Sequence, residues 1–159
     1  MPGVWVFPGG TVDPGDAGDE EAAHRACAVR ELHEEAGIEL EADAELLAWS
    51  RWITPEFVSM RFDTRFYVAL APAHSPPRPD RSEITEAAWV APGEALERHS
   101  AGELALVFPT IKHLEALIPY SSADAVLAAA RDRVVEPVLP RVIGEGQERR
   151  VVLPGDPGY

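Results

Sequence analysis

Three glutamates in the first third of the chain, Glu31, Glu34 and Glu35, have the spacing of a carboxylate cluster. On a helix, residues three and four apart share a side, while Glu34 and Glu35 lie about 100° apart around the axis. Like charges this close repel one another, so the cluster needs cations at neutral pH, of which Arg30 supplies one. With no set of Cys or His residues at ligand spacing, oxygen ligands favour a hard ion such as Mg²⁺ or Mn²⁺. The alternative is a solvated acidic helix face.

A helix of about 17 residues is expected to carry this cluster near its C-terminal end. Asp19 or one of its neighbours is suited to cap the helix, because a short polar side chain accepts hydrogen bonds from the first free N–H groups. Glu20 and Glu21 then fall in the first turn, where the helix dipole favours anions. Gly37 follows the last turn, where a left-handed residue commonly ends a helix.

A glycine turn precedes the helix. Residues 4–7 form a short β-rich run that ends at Pro8, which predicts a strand leading into a tight turn. Gly9 and Gly10 allow backbone carbonyls to approach an ion closely, although a plain turn explains two glycines equally well. The pattern favours a carbonyl ligand at Gly10 without separating it from Gly9.

These residues, in this order, resemble the Nudix box of the Nudix hydrolases. The matching segments are Phe7-Pro8-Gly9-Gly10 and Arg30-Glu31-Leu32-x-Glu34-Glu35-x-Gly37-Ile38. The family pattern is a glycine, five residues, an acid, seven residues and then Arg-Glu. Here Asp16 follows Gly10 after five residues, where the family prefers Glu, but thirteen residues separate Asp16 from Arg30. We interpret the six extra residues as a longer loop and lead-in to the helix, which leaves the role of Asp16 open.

The resemblance implies a Nudix α/β/α sandwich with a mixed β-sheet, formed by a single domain over residues 1–159. Its core would cover about residues 4–117, followed by a C-terminal helix and a proline-rich tail over residues 118–159. It also implies a metal-dependent hydrolase that cleaves the pyrophosphate bond of a nucleoside diphosphate linked to another group. A Nudix-fold regulator that binds a nucleotide without cleaving it is the alternative, although such domains typically lose acids of the box.

The resemblance also implies roles for individual residues. Glu34 and Glu35 are expected as metal ligands, and Glu31 as a ligand or the general base. Arg30 would orient the carboxylates through charge-assisted hydrogen bonds. Arg30, Glu31 and Glu34 are thus the expected catalytic residues, with the ions neutralising the diphosphate and activating water for in-line attack.

One more metal ligand is expected outside the box. In the family, an acid in the loop before a late strand often completes the metal site. The segment 82–90 leads out of a proline-rich loop into a predicted strand at Trp89-Val90. Glu83 is the first candidate in this segment and Glu86 the second, although an exposed loop Glu is common.

A second segment is similar to the Nudix branch that includes the peroxisomal coenzyme A diphosphatases, a branch that also tolerates an insertion in the box. It runs from Ile53 to Phe66 and overlaps a predicted strand with one charged face. Arg61 and Arg65 on that face either bind substrate phosphates as planar forks or pair with Asp63. The similarity implies coenzyme A or acyl-CoA as the substrate. ADP-ribose, NADH and dinucleoside polyphosphates are alternatives.

Composition limits the partners and the compartment. A chain of 159 residues with 46% hydrophobic content suits one domain. A net charge of −13 argues against a nucleic-acid partner, and so against RNA cap removal, because such proteins cluster Lys and Arg. The lone Cys27 excludes an internal disulfide and is expected as a buried thiol in a reducing compartment. No apolar run reaches about 18 residues and no signal peptide is recognisable, so we expect a cytoplasmic protein without a membrane partner.

The start of the chain is short for this family. In Nudix enzymes another strand ordinarily precedes the one that feeds Phe-Pro-Gly-Gly, yet only three residues stand before Val4. At about 3.3 Å per residue they cannot form that strand, and Pro2 lacks a ladder donor. We therefore expect a sheet without its usual first strand, because the native start lies upstream or because another segment fills the position. Residues 150–153 are the internal candidate, and a partner chain in a homodimer is the other.

The remaining elements follow from periodicity and turn residues. His99 and His113 have no partners at ligand spacing and are expected at the surface. Apolar spacing and cap residues predict three helices, and alternation between turns predicts strands and a hairpin. The helices are expected over residues 93–99, 109–117 and 122–135, the strands over 46–53 and 61–70, and the hairpin over 141–143 and 150–153.

Overall fold

The computed structural model describes residues 3–55, 58–80, 84–144 and 149–159. The chain divides into two compact units. The first comprises Met1–Glu45 and Ala69–Ala128, and the second comprises Leu46–Val68 and Ala129–Tyr159. The expectation of a single domain over residues 1–159 stays a prediction.

The central helix of the first unit, α1, runs from Glu20 to Ala36. The Asp19 carboxylate accepts a hydrogen bond of 2.9 Å from the Ala22 N–H, which caps the first turn. Gly37 ends the helix in the left-handed region at φ 63°, and its N–H donates to the His33 carbonyl at 2.8 Å. The predicted helix of 17 residues is therefore confirmed at both ends.

The six extra residues were expected to form a longer loop and lead-in to the helix, and most of this stretch belongs to the helix that was predicted to begin after Asp19. Only residues 17–19 lie between Asp16 and the start of α1, so ten of the thirteen residues before Arg30 are helical. Straight-chain residues and alanines of high helix propensity dominate this part of the chain, which favours extension of the helix. The insertion thus lengthens α1 at its N-terminal end.

Two shorter helices in the first unit form its core. Helix α2 spans Pro92–Ser100 and helix α3 spans Phe108–Leu117. Each has a proline in its first turn, where the missing N–H has no intrahelical partner to lose. Ala95, Leu104 and Leu114 are buried together, with the partly buried Trp5, Val90, Leu96 and Leu106 packed against them.

A fourth helix, α4, spans Ala123–Arg131. The Ser122 hydroxyl accepts a hydrogen bond of 3.2 Å from the Ala125 N–H, which confirms the predicted cap. The helix ends four residues before the predicted position at 135. Within the described ranges, none of the helices combines the length and the apolar character needed to cross a bilayer.

Two predicted strands of the first unit were wrong. Trp5 makes only an isolated parallel bridge with Leu106, in which its N–H donates to the Ala105 carbonyl at 2.9 Å. The described residues around Trp89 form no ladder, and the indole N–H of Trp89 donates to the Ser75 carbonyl at 2.8 Å instead. A β-rich run becomes a strand only where a neighbouring strand continues the hydrogen bonds, and these two segments lack such a neighbour among the described residues.

The second unit contains a three-stranded mixed sheet. Strand β1 spans Leu47–Ile53, β2 spans Asp63–Val68 and β3 spans Pro137–Val138, in the order β2-β1-β3. Strands β1 and β2 are antiparallel, with a bulge at Ala48/Ser50, whereas β1 and β3 are parallel. Both long strands confirm the predicted strand positions, although their burial does not alternate along the chain, and the mixed sheet agrees with the predicted fold class.

The last two strands form a separate antiparallel hairpin. Strand β4 spans Arg141–Ile143 and pairs with β5, which spans Arg150–Val152. The predicted hairpin is therefore confirmed. The alternative in which residues 150–153 replace a strand of the main sheet was wrong, because their backbone groups are already paired with β4.

Candidate active site

Arg30 and Asp16 form an enclosed ion pair in the first unit. The Arg30 Nε donates to Asp16 Oδ1 at 3.1 Å and Nη2 donates to Oδ2 at 3.0 Å, so the contact is bidentate and uses both carboxylate oxygens. The Asp13 N–H adds a bond of 3.0 Å to Oδ2, and Asp16 is buried. The hydrogen bond from Arg30, followed by that from Asp13, lowers the pKa of Asp16 below its ordinary range. Asp16, whose role the sequence left open, is thus the anion that fixes Arg30.

The same guanidinium also reaches the helix acids. Its Nη1 donates to Glu31 Oε1 at 2.8 Å and to Glu34 Oε2 at 3.0 Å. Its Nη2 donates to the Thr11 carbonyl at 3.2 Å. The bond to Asp16, then that to Glu31, raises the pKa of Arg30, so this cation is permanently charged. The Arg30 side chain therefore contacts three carboxylates and connects the loop after the glycines to α1.

The glycine turn lies directly against the acidic end of α1. The Gly9 N–H donates to Glu35 Oε2 at 2.8 Å. A Cβ atom on Gly10 would overlap the carboxylate of Glu31, whereas a Cβ on Gly9 would meet nothing within 4 Å. Only a glycine at position 10 therefore leaves room for Glu31. Gly9 thus donates a hydrogen bond to Glu35, whereas Gly10 leaves space for Glu31, and the sequence alone did not distinguish these two roles.

Cys27 lies beneath this arrangement. It is buried, its Sγ lies 3.8 Å from the Gly10 carbonyl oxygen, and Arg30 Nη2 lies 3.5 Å from the sulfur. Burial is the main cause that raises the pKa of the thiol, so Cys27 is neutral and poorly nucleophilic. The predicted buried thiol is confirmed.

The oxygen atoms of this cluster suit a hard divalent ion. Carboxylates of Glu31, Glu34 and Glu35 and the Gly10 carbonyl offer oxygen ligands only, which is the donor set of Mg²⁺ or Mn²⁺. Arg30 brings one positive charge to the three acids that it contacts, so the cluster keeps a net negative charge that a cation would balance. In the described part of the chain, no three acidic, His or Cys side chains are already arranged around a metal position. Arg30 and the Gly9 N–H hold the carboxylates instead.

Two predicted substrate-binding residues lie in the second unit. Arg61 donates from Nε to the Thr54 carbonyl at 3.2 Å, and Arg65 lies on β2 opposite Arg51. Asp63, the suggested alternative partner of both, forms a two-pronged pair with Arg51, with an Nε to Oδ1 distance of 2.8 Å. The roles of Arg61 and Arg65 stay predictions.

The metal ligand expected outside the glycine turn and α1 has two candidates, Glu83 and Glu86. Glu83, the first candidate, lies outside the described residues. Glu86, the second, is described and exposed in the irregular segment before α2. Both assignments stay predictions.

The expectation of a surface position for His113 was wrong. His113 is buried on α3, its Nδ1 lies 2.6 Å from the Pro109 carbonyl, and its ring meets Phe7 edge to face at 6.1 Å. Phe7 leads into the glycine turn, so this contact helps to position the turn. His113 shares a helix face with Thr110 and Leu117, at spacings of three and four residues, and this was the available signal.

The chain is similar to several known proteins. Residues 1–109 match the family described as NUDIX domain. The chain is 31% identical over 197 aligned residues to nudix hydrolase 7 of Caenorhabditis elegans, covering 100% of this chain and 65% of that protein. It is 31% identical to the acyl-coenzyme A diphosphatase NUDT19 of Gallus gallus, covering 72% of this chain and 32% of that protein. The chain thus spans less than two thirds of the length of these relatives.

Further similarity is found to the human protein and to a solved structure. The acyl-coenzyme A diphosphatase NUDT19 of Homo sapiens is 28% identical, with 70% of this chain and 31% of that protein covered. The crystal structure of a NUDIX hydrolase from Alicyclobacillus acidocaldarius superposes with a TM-score of 0.71 at 25% identity. That superposition covers 86% of this chain and 84% of the other.

Proposed function

This chain belongs to the Nudix family, and from that premise we propose that it is a divalent-metal-dependent hydrolase of a pyrophosphate bond. Its substrate is a nucleoside diphosphate linked to another group. The family match and the superposition on a solved Nudix hydrolase confirm the predicted family and fold class. The observation that carries the activity is the convergence of Asp16, Glu31 and Glu34 on the single guanidinium of Arg30.

The residues that would hold the ions are Glu31, Glu34, Glu35 and the Gly10 carbonyl. Arg30 contacts one oxygen each of Glu31 and Glu34, which leaves the second oxygen of each carboxylate for an ion. When bound, Mg²⁺ or Mn²⁺ neutralises the diphosphate and supplies an activated water. Glu35, whose Oε2 accepts a hydrogen bond from the Gly9 N–H, would add its carboxylate to the ligands of the ion.

The acids differ in how far they reach into solvent. The side chain of Glu31 is 14% exposed and that of Glu34 is 56% exposed. Glu34, the more accessible of the two, is suited to meet an ion that arrives with the substrate. Glu31, enclosed by Arg30 and Gly10, is held in one orientation and acts either as a ligand or as the general base. Both roles require the fixed position that Arg30 provides.

Coenzyme A or an acyl-CoA is the substrate that we propose. The support is the name of the two NUDT19 relatives, together with the insertion before Arg30 and the segment from Ile53 to Phe66 that is similar to coenzyme A diphosphatases. Cleavage of the pyrophosphate bond would release 3′-phospho-ADP and a 4′-phosphopantetheine product. ADP-ribose, NADH and dinucleoside polyphosphates are the competing substrates.

A substrate panel tests both the proposed hydrolase activity and the proposed substrate. Coenzyme A, acyl-CoA, NADH, ADP-ribose and dinucleoside polyphosphates are incubated with the protein and either Mg²⁺ or Mn²⁺, with a Glu35→Gln variant as the control. We expect the highest kcat/KM with a coenzyme A compound. A tenfold higher kcat/KM with ADP-ribose or NADH would overturn the substrate. No turnover of any compound with either ion would overturn the hydrolase itself.

A further inference from the structure

Arg78 is attached by its backbone to the end of α1. Its N–H donates to the carbonyl of Ala36 at 2.7 Å, which gives a partner to one of the free carbonyls of the last turn. A Cβ atom on Gly37 would lie 3.1 Å from Arg78 Cβ and 3.2 Å from its carbonyl oxygen. Gly37 therefore ends the helix and also admits the Arg78 backbone.

This attachment brings a cation to the acidic turn. Ala36 directly follows Glu34 and Glu35, and at a rise of about 1.5 Å per residue these three residues occupy less than one turn. The side chain of Arg78 is exposed and starts beside that turn. A long guanidinium side chain that starts there can reach an anion held at the acids.

Arg78 also differs from the other described arginines and the lysine of its unit in whether its side chain contacts a carboxylate. The other arginines and the lysine that the structure describes in this unit each contact a carboxylate: Arg25 with Glu21, Arg30 with Asp16, Arg98 with Glu94 and Glu103, and Lys112 with Glu115. Among the residues that the structure describes, Arg78 has no side-chain hydrogen bond or ion pair. In a chain with net charge −13, a guanidinium that pairs with none of the described acids and starts beside an acidic cluster is available to an incoming anion.

We propose that Arg78 binds a phosphate group of the substrate. This assignment rests on the proposed function, because it takes the substrate to be a nucleoside diphosphate compound. The planar guanidinium donates two parallel hydrogen bonds to phosphate oxygens, which a lysine cannot reproduce. Arg78 lies in the same unit as Glu34 and Glu35, whereas Arg61 and Arg65 belong to the other unit.

The test compares Arg78→Ala, Arg78→Lys and the wild type. The hydrogen bond to Ala36 is made by the backbone, so both variants keep it and should retain the wild-type Tm. Calorimetry with ADP and Mg²⁺ should show about a tenfold higher Kd for Arg78→Ala and an intermediate value for Arg78→Lys. With the best substrate of the panel, KM should rise by a similar factor while kcat changes less than about threefold. Arg25→Ala, which removes a paired arginine elsewhere on α1, should leave Kd and KM unchanged.

The outcomes separate this assignment from the proposed function. A Kd and KM within twofold of wild type in Arg78→Ala would overturn the role of Arg78 while hydrolysis by the wild type upholds the enzyme. An equal loss in Arg25→Ala would also overturn it, because the effect would then be one of general charge. If the wild type hydrolyses nothing but binds ADP through Arg78, the hydrolase fails and the phosphate-binding role stands. If the wild type binds neither ADP nor any panel compound, the role of Arg78 fails as well.

Discussion

The first unit and the second unit each contain arginine and aspartate in contact, but in different surroundings. The Asp16 side chain is 4% exposed and shares Arg30 with two further acids. The Asp63 side chain is 39% exposed and pairs with Arg51 across two strands. Arg30 joins segments 14 and 19 residues away in the chain, through Asp16 and Thr11. Arginine and aspartate in contact do not by themselves indicate a site; the convergence of distant segments on one enclosed cation is the observation that supports the proposed site.

Removing one carboxylate should lower turnover far more in the acidic cluster of the first unit than in the ion pair of the second unit. Glu34→Gln and Glu35→Gln should each lower kcat by about 10²-fold or more, because each removes a charge proposed to hold an ion at the transition state. Thermal unfolding should show an intact fold, since each change relieves repulsion within the acidic cluster. Asp63→Asn in the second unit serves as the matched loss of one carboxylate and should leave kcat within twofold. Wild-type kcat in either glutamine variant at saturating metal would end the site assignment.

The glycine turn offers a second comparison, within the site itself. Gly10→Ala places a methyl group where the Glu31 carboxylate lies, so Glu31 must move. We expect kcat/KM to fall by roughly 10- to 100-fold, because small displacements of a catalytic group have effects of this size.

Gly9→Ala is the control for this change, because its methyl group meets nothing within 4 Å and the Gly9 N–H still donates to Glu35. It should keep kcat/KM within a few-fold of wild type. Equal losses in the two alanine variants would mean that flexibility of the turn, rather than room for Glu31, is what the glycines provide.

Local signals in the sequence were sufficient to predict the bounds of α1 and the position of its acidic residues. The cap at Asp19, the left-handed Gly37 and the buried Cys27 each follow from rules that act over a few residues. The partner of Arg30 did not follow, because the insertion between Asp16 and Arg30 left the role of Asp16 open. The structure restores this contact because loop residues 11–16 return along α1, which no local rule predicts.

The wrong predictions have a related physical cause. The run around Trp5 has strand composition, but its pairing depends on a neighbour, and only Leu106 bridges to it among the described residues. The buried ring of His113 likewise contacts Phe7, a residue more than one hundred positions away in the chain. Composition therefore predicted element type where the element stabilises itself, as in a capped helix, and failed where a distant partner decides.

Stability as a function of pH should test the ion pair between Asp16 and Arg30. The pKa of Asp16 is lowered below its ordinary value of 3.8, first by the hydrogen bond from Arg30, so the folded state favours the ionised form. The resulting stabilisation is fully present above pH 3.8 and is lost as the pH falls through the lower folded value.

Asp16→Asn should therefore lower Tm clearly at pH 7, and the difference from wild type should shrink as the solution is acidified below pH 3.8. Denaturation curves of both proteins across this range provide the measurement. A difference in Tm that is constant from pH 7 to acid pH would show that packing, rather than charge, accounts for the loss.

The smallest effect is expected at the exposed pair of the second unit. Arg51 and Asp63 are 33% and 39% exposed, so solvent screens their attraction. A double-mutant cycle of Arg51→Ala and Asp63→Asn, measured by urea unfolding, should give a coupling energy below about 1 kcal/mol that declines with added salt. The fork geometry favours a value near the top of that range, since two parallel hydrogen bonds join these side chains. A salt-insensitive coupling well above that limit would place Arg51 and Asp63 in the same class as Arg30 and Asp16. Exposure would then no longer separate the two regions, and the number of segments that converge on the cation would be the remaining difference.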